Sequence, residues 1–153
     1  MRSLAMLNEA SADEFVAELS PLFEGAPGLV ARLAAERPFE TADDLWAAAR
    51  ALARSMPEED QIELLNAHPP IGGDPTTMSD ASRSEQGYDG DGNGGEDGEA
   101  WVNDELAALN EAYEGRFGFR FVVFVGGRPR SAILPLRERA VAADRDEELR
   151  RGL

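Results

Sequence analysis

The chain has 153 residues, of which 42% are hydrophobic and 29% charged, and its formal net charge at pH 7 is -15. A single domain with its own core is the expectation at this length. An acidic surface repels phosphates, so the composition argues against nucleic-acid binding and against docking on anionic membranes. Because the chain has no cysteine, disulfides and thiolate metal sites are excluded.

The start of the chain lacks the long apolar core of a signal peptide. No stretch reaches the roughly 18 apolar residues that a membrane-spanning helix needs. We therefore expect a cytoplasmic protein with no membrane partner.

The N-terminal half has the pattern of consecutive helices. Ser11 begins a capping-box sequence, with a glutamate three residues later. Pro27 opens a second helical segment, and Thr41 caps a third. Pro57, which is followed by three acidic residues, begins a fourth. This last helix is expected to end at His68, because two prolines follow it.

The C-terminal half is less uniform. Residues 87–98 hold six glycines and no aliphatic side chain, which predicts a flexible acidic surface loop. A helix is expected over residues 99–114. The aromatic and β-branched run 117–125 has strand propensity, but no second strand is evident to pair with it, so we expect a buried extended or helical segment. Helices are also predicted around residues 133–139 and over the charged tail 144–153.

His68 is the single histidine of the chain. Histidine titrates near neutral pH without perturbation, so His68 is the obvious candidate for a proton shuttle. A lone histidine at a helix end is more often a cap or a solvated side chain. Here Pro69 and Pro70 restrict the backbone beside the ring, and apolar neighbours in sequence favour a position at the wall of a pocket.

Glu85 lies seventeen positions after His68, in the sequence Ser82-Arg83-Ser84-Glu85-Gln86. Most glutamates lie on the surface of helices, and Ser82-x-x-Glu85 can equally be a structural capping box. A histidine and a carboxylate that converge can supply general acid–base catalysis, which contributes roughly 10² to 10⁴ in rate. Gln86 adds both a donor and an acceptor for an amide-like ligand. The spacing leaves open whether the two groups converge.

The acidic loop contains a partial calcium pattern. Asp89, Asp91 and Asn93, followed by Gly94, match the first half of a calcium-binding loop. The bidentate glutamate expected at the twelfth position is missing, since Ala100 stands there. A solvated acidic insert is therefore favoured over a weak Ca²⁺ site.

Two arginines lie on the predicted helix near residues 133–139. Arginine binds carboxylates bidentately, so Arg137 or Arg139 could hold an anionic substrate. For Arg137 we expect a surface salt bridge instead. No phosphate-binding loop, dinucleotide fingerprint or serine-hydrolase elbow is present in the sequence.

Four ordered blocks of sequence, together with Phe23-Glu24 and Arg37-Pro38-Phe39, form a recognisable set. The blocks are Leu65-x-x-His68-Pro69-x-Ile71-Gly72, Ser82-x-x-Glu85-Gln86, Leu109-Asn110-x-x-Tyr113-x-x-x-Phe117-Gly118-Phe119-x-Phe121 and Ile133-x-x-x-x-x-Arg139. With these blocks the chain resembles, nearly end to end, the 2-oxo-4-hydroxy-4-carboxy-5-ureidoimidazoline (OHCU) decarboxylases of urate breakdown. It departs from them after Gln86, where Gly87-Tyr88 leads into the acidic loop, and at Ala142, where the family usually has asparagine.

This resemblance implies an all-α fold, a single multi-helix domain over residues 1–153, and decarboxylation of OHCU to (S)-allantoin and CO₂ without metal or cofactor. It implies that His68 is the principal acid–base residue and Glu85 its partner. It also implies a homodimer. The residues it places around the substrate are Pro69, Ser82, Gln86, Phe121, Val122, Val123, Phe124, Val125 and Arg139. The alternatives are a non-catalytic ureide-binding or scaffold homologue and a decarboxylase of a related heterocyclic acid.

Overall fold

A computed structural model describes residues 2–24, 26–88 and 96–153, with only the backbone for residues 96–99. Across these ranges the secondary structure is helical and contains no β-strand, which confirms the predicted all-α fold. The proposed calcium ligands Asp89, Asp91 and Asn93 lie outside the described residues. No helix within the described ranges is both long enough and apolar enough to cross a bilayer.

The described ranges contain nine α-helices, which we number in chain order. They are α1 (Leu4–Glu9), α2 (Ala12–Leu19), α3 (Pro27–Ala35), α4 (Ala42–Ser55), α5 (Glu58–Ala67), α6 (Asp80–Glu85), α7 (Glu96–Phe117), α8 (Leu134–Val141) and α9 (Arg145–Gly152). Short 3₁₀ helices span Ser20–Phe23, Pro75–Thr77 and Arg130–Ala132. The chain divides into two compact units, one that runs to Ala67 and takes in Leu153, and one that spans His68–Gly152. The single domain stays a prediction.

The helices of the N-terminal unit begin where the sequence predicts. Ser11 Oγ accepts a hydrogen bond from the Glu14 amide at 3.3 Å, and the Glu14 carboxylate accepts one from the Ser11 amide at 3.0 Å, which completes a capping box. Thr41 and Asp44 form a second capping box at the start of α4. The short helix α1 was not predicted. The core cluster formed by these helices is Leu7, Phe15, Leu19, Val30, Leu33, Ala34, Phe39, Leu45 and Ala49.

Arg37 joins two helix ends in this unit. Its Nε donates to the Ala34 carbonyl at 2.8 Å, and its Nη1 donates to the carbonyls of Leu7 and Ala10 at 3.1 and 2.6 Å. Its guanidinium lies over the Phe15 ring, 4.7 Å from the centroid. The last carbonyls of a helix lack intrahelical partners, so Arg37 satisfies groups at the ends of α1 and α3.

The C-terminal unit is organised around α7 and an extended segment. Helix α7 begins at Glu96, so the last part of the predicted loop 87–98 is helical. Residues 118–125 form neither helix nor strand, so of the two predicted alternatives, a buried extended or a buried helical segment, the helical one is wrong here. Phe119, Phe121 and Val125 are buried, whereas Phe124 is exposed. Phe119 and Phe121 pack on α7, with both rings edge-on to Tyr113 and the Phe121 and Tyr113 ring centroids 5.3 Å apart. The charged tail forms α9 as predicted, but Glu148 is only 5% exposed.

Candidate active site

His68 and Glu85 lie on the wall of one small cavity in the C-terminal unit, which we call the recess. Its volume is about 30 Å³, which is room for about two water molecules. The structure thus brings together two groups whose convergence the spacing left open. The recess is lined by His68, Pro69, Ile71, Ser82, Glu85, Gln86, Phe121, Val122, Val123 and Val125.

The backbone after His68 is held by side chains from distant parts of the unit. Arg120 Nη1 donates a hydrogen bond to the carbonyl of His68. Asn110 Nδ2 on α7 donates to the carbonyl of Ile71 at 3.2 Å, and the Tyr88 hydroxyl donates to the carbonyl of Gly73 at 3.0 Å. Three side-chain donors therefore hold the loop 68–73, which we call the histidine loop. Arg120 is one of them, and its role was not predicted from the sequence. The sequence signal for Arg120 is that it is the one charged residue in the aromatic and β-branched run 117–125.

Gly72 lets this loop contact Gln86. Its φ of 76° lies in the left-handed region, and a Cβ at this position would come 3.1 Å from Leu106 Cδ1, so a glycine is required. The Gly72 amide donates to Gln86 Oε1 at 3.1 Å. Because the oxygen of the Gln86 amide is the acceptor here, the nitrogen of that amide is a donor for a carbonyl or carboxylate oxygen.

Helix α6 places Ser82 and Glu85 on the same face, three residues apart. Ser79 caps this helix, since its hydroxyl accepts a hydrogen bond from the Ser82 amide at 3.1 Å. The capping-box interpretation of Ser82-x-x-Glu85 is therefore wrong. Glu85 Oε1 instead accepts a hydrogen bond from the Val125 amide at 2.8 Å, forty residues away in sequence.

The segment 121–125 forms the wall of the recess opposite α6. Four of its five residues line the recess, and Phe124 does not: its side chain is 78% exposed. The phenyl ring of Phe124 lies over Gly126, where a Cβ would come within 2.8 Å of it. Of the predicted substrate-contacting residues, Phe124 therefore lies outside the lining of the recess.

Arg139 lies at a second cavity, not in the lining of the recess. This cavity has a volume of about 290 Å³ and shares Phe121 and Val123 with the recess. Its other lining residues are Leu136, Arg139, Ala140, Ala143, Glu148 and Arg151. The segment 121–125 thus separates the histidine from the arginine.

Arg137 is completely buried, with 0% of its surface exposed. None of its three guanidinium nitrogens has a hydrogen-bond partner in the described part of the chain. The guanidinium lies 4.5 Å from the Phe121 ring centroid and 5.9 Å from that of Tyr113. Burial lowers the pKa of Arg137 to about 10, and the charge of Glu114 acts in the opposite direction. The expectation that Arg137 forms a surface salt bridge is therefore wrong.

A polar cluster that was not predicted from the sequence lies behind the segment: Tyr113 and Glu148 are buried, and the Arg151 side chain is 36% exposed. The Tyr113 hydroxyl donates to Glu148 Oε2 at 2.8 Å, and Arg151 Nε donates to both Glu148 oxygens at 3.0 and 2.9 Å. Burial and the neighbouring Glu148 carboxylate raise the pKa of Tyr113 above its usual range. Glu148 lies in a run of charged residues, so no local signal marks it as buried.

These groups suit proton transfer to a small polar molecule. The recess combines an imidazole, a carboxylate, a buried serine and an amide donor with an apolar wall, which is a set that can orient a substrate and exchange a proton with it. Among the described residues, no cluster of three or more His, Asp or Glu side chains is arranged to hold a metal ion.

Comparisons with known proteins identify similar chains. The OHCU decarboxylase family model matches residues 8–153. A 2-oxo-4-hydroxy-4-carboxy-5-ureidoimidazoline decarboxylase of Haloferax volcanii is 33% identical over 99% of this chain and 87% of its own length. A uric acid degradation bifunctional protein of Bacillus subtilis is 31% identical over 96% of this chain, which spans 29% of that protein.

A solved structure shares the fold. It is a crystal structure of OHCU decarboxylase in the presence of (S)-allantoin, with a TM-score of 0.69 and 23% sequence identity. The match covers 88% of this chain and 85% of the other. The helical architecture described above is therefore that of a known enzyme fold.

Proposed function

The chain belongs to the OHCU decarboxylase family, and we propose that the recess between His68 and Glu85 is where it decarboxylates OHCU. The protein is a carboxy-lyase of urate breakdown. The observation that carries the proposed site is the convergence of the single histidine with Glu85 and Gln86 on one cavity wall. We further propose that the product is (S)-allantoin and that no cofactor takes part.

The reaction needs an electron sink and a proton donor. When the bond to the carboxylate breaks, CO₂ leaves and the bonding electron pair moves into the imidazoline ring of the substrate, which delocalises it. A proton must then be added to one face of the ring carbon that becomes the stereocentre. In the proposed mechanism protonated His68 donates this proton, and Glu85 orients and stabilises the imidazolium.

The remaining residues of the recess orient the substrate. The Gln86 amide nitrogen is available to a ureido or carboxylate oxygen, because the amide oxygen is already bonded to Gly72. Ser82 and Pro69, with the side chains of Phe121, Val122, Val123 and Val125, complete the wall. A largely apolar wall strengthens each of these polar interactions by excluding water.

The recess must widen to admit OHCU. Its volume of about 30 Å³ is far below the roughly 300 Å³ or more of a typical ligand pocket. Rotation of the Val123 side chain, which lines both the recess and the cavity at Arg139, would join the two spaces. We propose that Arg139 then binds the substrate carboxylate, which arginine recognises bidentately.

We also propose a cytoplasmic homodimer, as the family resemblance implies. Light scattering coupled to size exclusion should give a mass about twice the 16.6 kDa of one chain. A mass equal to one chain at micromolar concentration would contradict the dimer without affecting the proposed site.

The direct test is turnover of freshly generated OHCU, followed by circular dichroism for chiral allantoin. The proposal requires a rate well above spontaneous decay and a single enantiomer of the product. Binding of allantoin without turnover would instead identify a non-catalytic homologue. Turnover of a different heterocyclic acid in preference to OHCU would identify a diverged substrate.

A further inference from the structure

Arg151, in the last turn of α9, contacts the wall of the recess from behind. Its Nη1 donates a hydrogen bond to the carbonyl of Val122 at 2.8 Å. Its guanidinium also lies 4.4 Å from the centroid of the Phe121 ring. Both contacted residues line the recess, whereas Arg151 itself lines only the neighbouring cavity.

Glu148 holds Arg151 in this geometry. The Glu148 carboxylate is 5% exposed, accepts two hydrogen bonds from Arg151 Nε, and lies 2.8 Å from Arg151 Nη2. Tyr113 donates a further hydrogen bond to the same carboxylate. Burial alone would lower the pKa of Arg151, but the hydrogen bonds and charges of Glu148 and Tyr113 together raise it. The Arg151 guanidinium therefore stays charged, and the contacts of its Nε and Nη2 with the Glu148 carboxylate restrict its orientation.

Phe121 is fixed from two directions. The guanidinium of Arg137 lies 4.5 Å from its ring centroid and that of Arg151 lies 4.4 Å away. The contact with the buried Arg137 is desolvated and strongly attractive, whereas the Arg151 side chain is 36% exposed and its contact is weaker. Together the two contacts restrict the ring. Phe121 is 2% exposed, in agreement with this close packing.

The restricted segment leads directly to Glu85. Val125, three residues after Val122, donates its amide hydrogen to Glu85 Oε1. Residues 119–124 belong to no helix or strand, so their course depends on contacts made by other elements. The hydrogen bond from Arg151 to the Val122 carbonyl is such a contact. It lies three residues before Val125, whose amide binds the Glu85 carboxylate.

We propose that Arg151 is a positioning residue for the decarboxylation: it holds the segment 121–125 so that the Val125 amide orients the Glu85 carboxylate toward the reacting molecule. This inference rests on the proposed function, since it assumes that Glu85 acts in the recess. It assigns a role in the reaction to the charged C-terminal helix.

The test compares Arg151→Ala, Arg151→Met and Arg151→Lys with Arg150→Ala. Arg150 is the matched control, because it is an exposed arginine on the same helix and, unlike Arg151, is not part of the cavity lining behind the segment. In Arg151→Ala and Arg151→Met, kcat should fall about 10- to 100-fold, since misplacement by about 1 Å can cost that much. KM should change less than kcat does, because Arg151 contacts the substrate wall from behind through the Val122 carbonyl and does not line the recess itself. Arg150→Ala should match the wild type.

Rescue distinguishes positioning from simple stability. Arg151→Lys should recover part of kcat, and millimolar guanidinium ion should recover part of it in Arg151→Ala but have no effect on the wild type. The thermal melting curve of each variant, measured by circular dichroism, gives the fraction of protein that is folded at the assay temperature. If Arg151→Ala does not fold, Arg151→Met decides, because its long side chain can still cover Phe121.

The outcomes separate this inference from the proposed function. No turnover of OHCU by the wild type refutes the proposed function. An active wild type together with a folded Arg151→Met or Arg151→Ala variant of unchanged kcat refutes the positioning role alone. A lower melting temperature with unchanged kcat, at a temperature where the variant is folded, likewise refutes the positioning role and leaves Arg151 a purely structural residue.

Discussion

Two arginines stacked on phenylalanine rings show how differently the two units are built. Arg37 in the N-terminal unit lies over Phe15 and donates three hydrogen bonds to carbonyls at helix ends. Arg137 in the C-terminal unit lies over Phe121, fully buried, and none of its nitrogens finds a hydrogen-bond partner among the described residues. Burial of a charge is costly unless hydrogen bonds compensate it. We therefore expect the first arginine to stabilise its unit and the second, which packs on the wall of the recess, to lower the stability of its own.

The same contrast extends to the backbone of each unit. In the N-terminal unit, Ser11 and Thr41 cap the starts of α2 and α4 through hydrogen bonds to residues three positions later. In the C-terminal unit, the segment 118–125 is held by groups that are distant in sequence, such as Glu85 and Arg151. We infer that hydrogen bonds at helix ends secure stability in the first unit and that hydrogen bonds to the extended segment arrange the site in the second. The predictions below test this division.

The largest effect is expected for His68→Ala. Loss of the proton donor should reduce kcat by roughly 10² to 10⁴, while the melting temperature should stay nearly unchanged. Steady-state turnover of OHCU and thermal melting measure the two quantities. Arg50→Ala, an exposed change in the N-terminal unit, is the control and should leave both at wild-type values. A stable variant that retains full activity would remove His68 from the mechanism.

Glu85→Gln should reduce kcat by about 10², the lower end of general acid–base effects. The amide oxygen of glutamine can still accept the hydrogen bond that the Val125 amide donates, so the wall of the recess should keep its position. Chemical denaturation should therefore give a free energy of unfolding close to the wild type. A large loss of stability with normal turnover by the folded protein would make Glu85 a structural residue instead.

Arg137→Met should stabilise the protein, by about 1 to 4 kcal/mol in the free energy of unfolding. The matched change Arg37→Met should destabilise it by about 1 to 3 kcal/mol, because helix-end carbonyls lose their donors. Urea unfolding at pH 7 measures both. Opposite signs confirm the contrast between the two arginines, and equal signs would contradict it.

The stabilisation by Arg137→Met should diminish at high pH. Burial lowers the pKa of Arg137 from its usual value to about 10 in the folded protein. Above pH 10 the unfolded state therefore binds more protons at this group than the folded state, and the contribution of Arg137 to stability rises with pH until the guanidinium also titrates in the unfolded state. Unfolding of wild type and variant at about pH 7 and at about pH 10.5 measures the difference, and a constant gap between the two proteins would contradict the lowered pKa.

The smallest effect is expected for Thr41→Ala. The Thr41 hydroxyl accepts the Asp44 amide hydrogen at 3.1 Å, and loss of such a cap costs about 1 kcal/mol. The free energy of unfolding should fall by that amount and kcat should not change. A change in kcat at a temperature where the variant is folded would show that the N-terminal unit contributes to the reaction.

Much of the fold could be predicted because its signals are local. Proline and capping residues marked the starts of α2, α3, α4 and α5, and the structure confirms them. Residues 96–98 were misassigned, because their glycine-rich context indicates a loop while the structure continues α7 through them. A short helix such as α1 carries too few residues for a clear period.

The site was predictable only in part. Motif resemblance selected His68, Glu85 and Gln86, and these do lie together in the recess. It also selected Phe124 and Arg139, which the structure places on the surface and at the neighbouring cavity. A motif identifies which positions belong together in a family, but the direction of each side chain depends on the packing of this chain.

The sequence by itself determined the helical class, the helix starts and the one histidine available for proton transfer near neutral pH. Only the tertiary structure decided that Glu85 binds the Val125 amide, that Arg137 is buried without hydrogen bonds from the described residues, and that Arg151 supports the wall of the recess. The reason is the range of the interactions. Caps and helical periods act within a few residues, whereas burial and hydrogen bonding across 29 to 40 residues depend on how the helices and the extended segment pack.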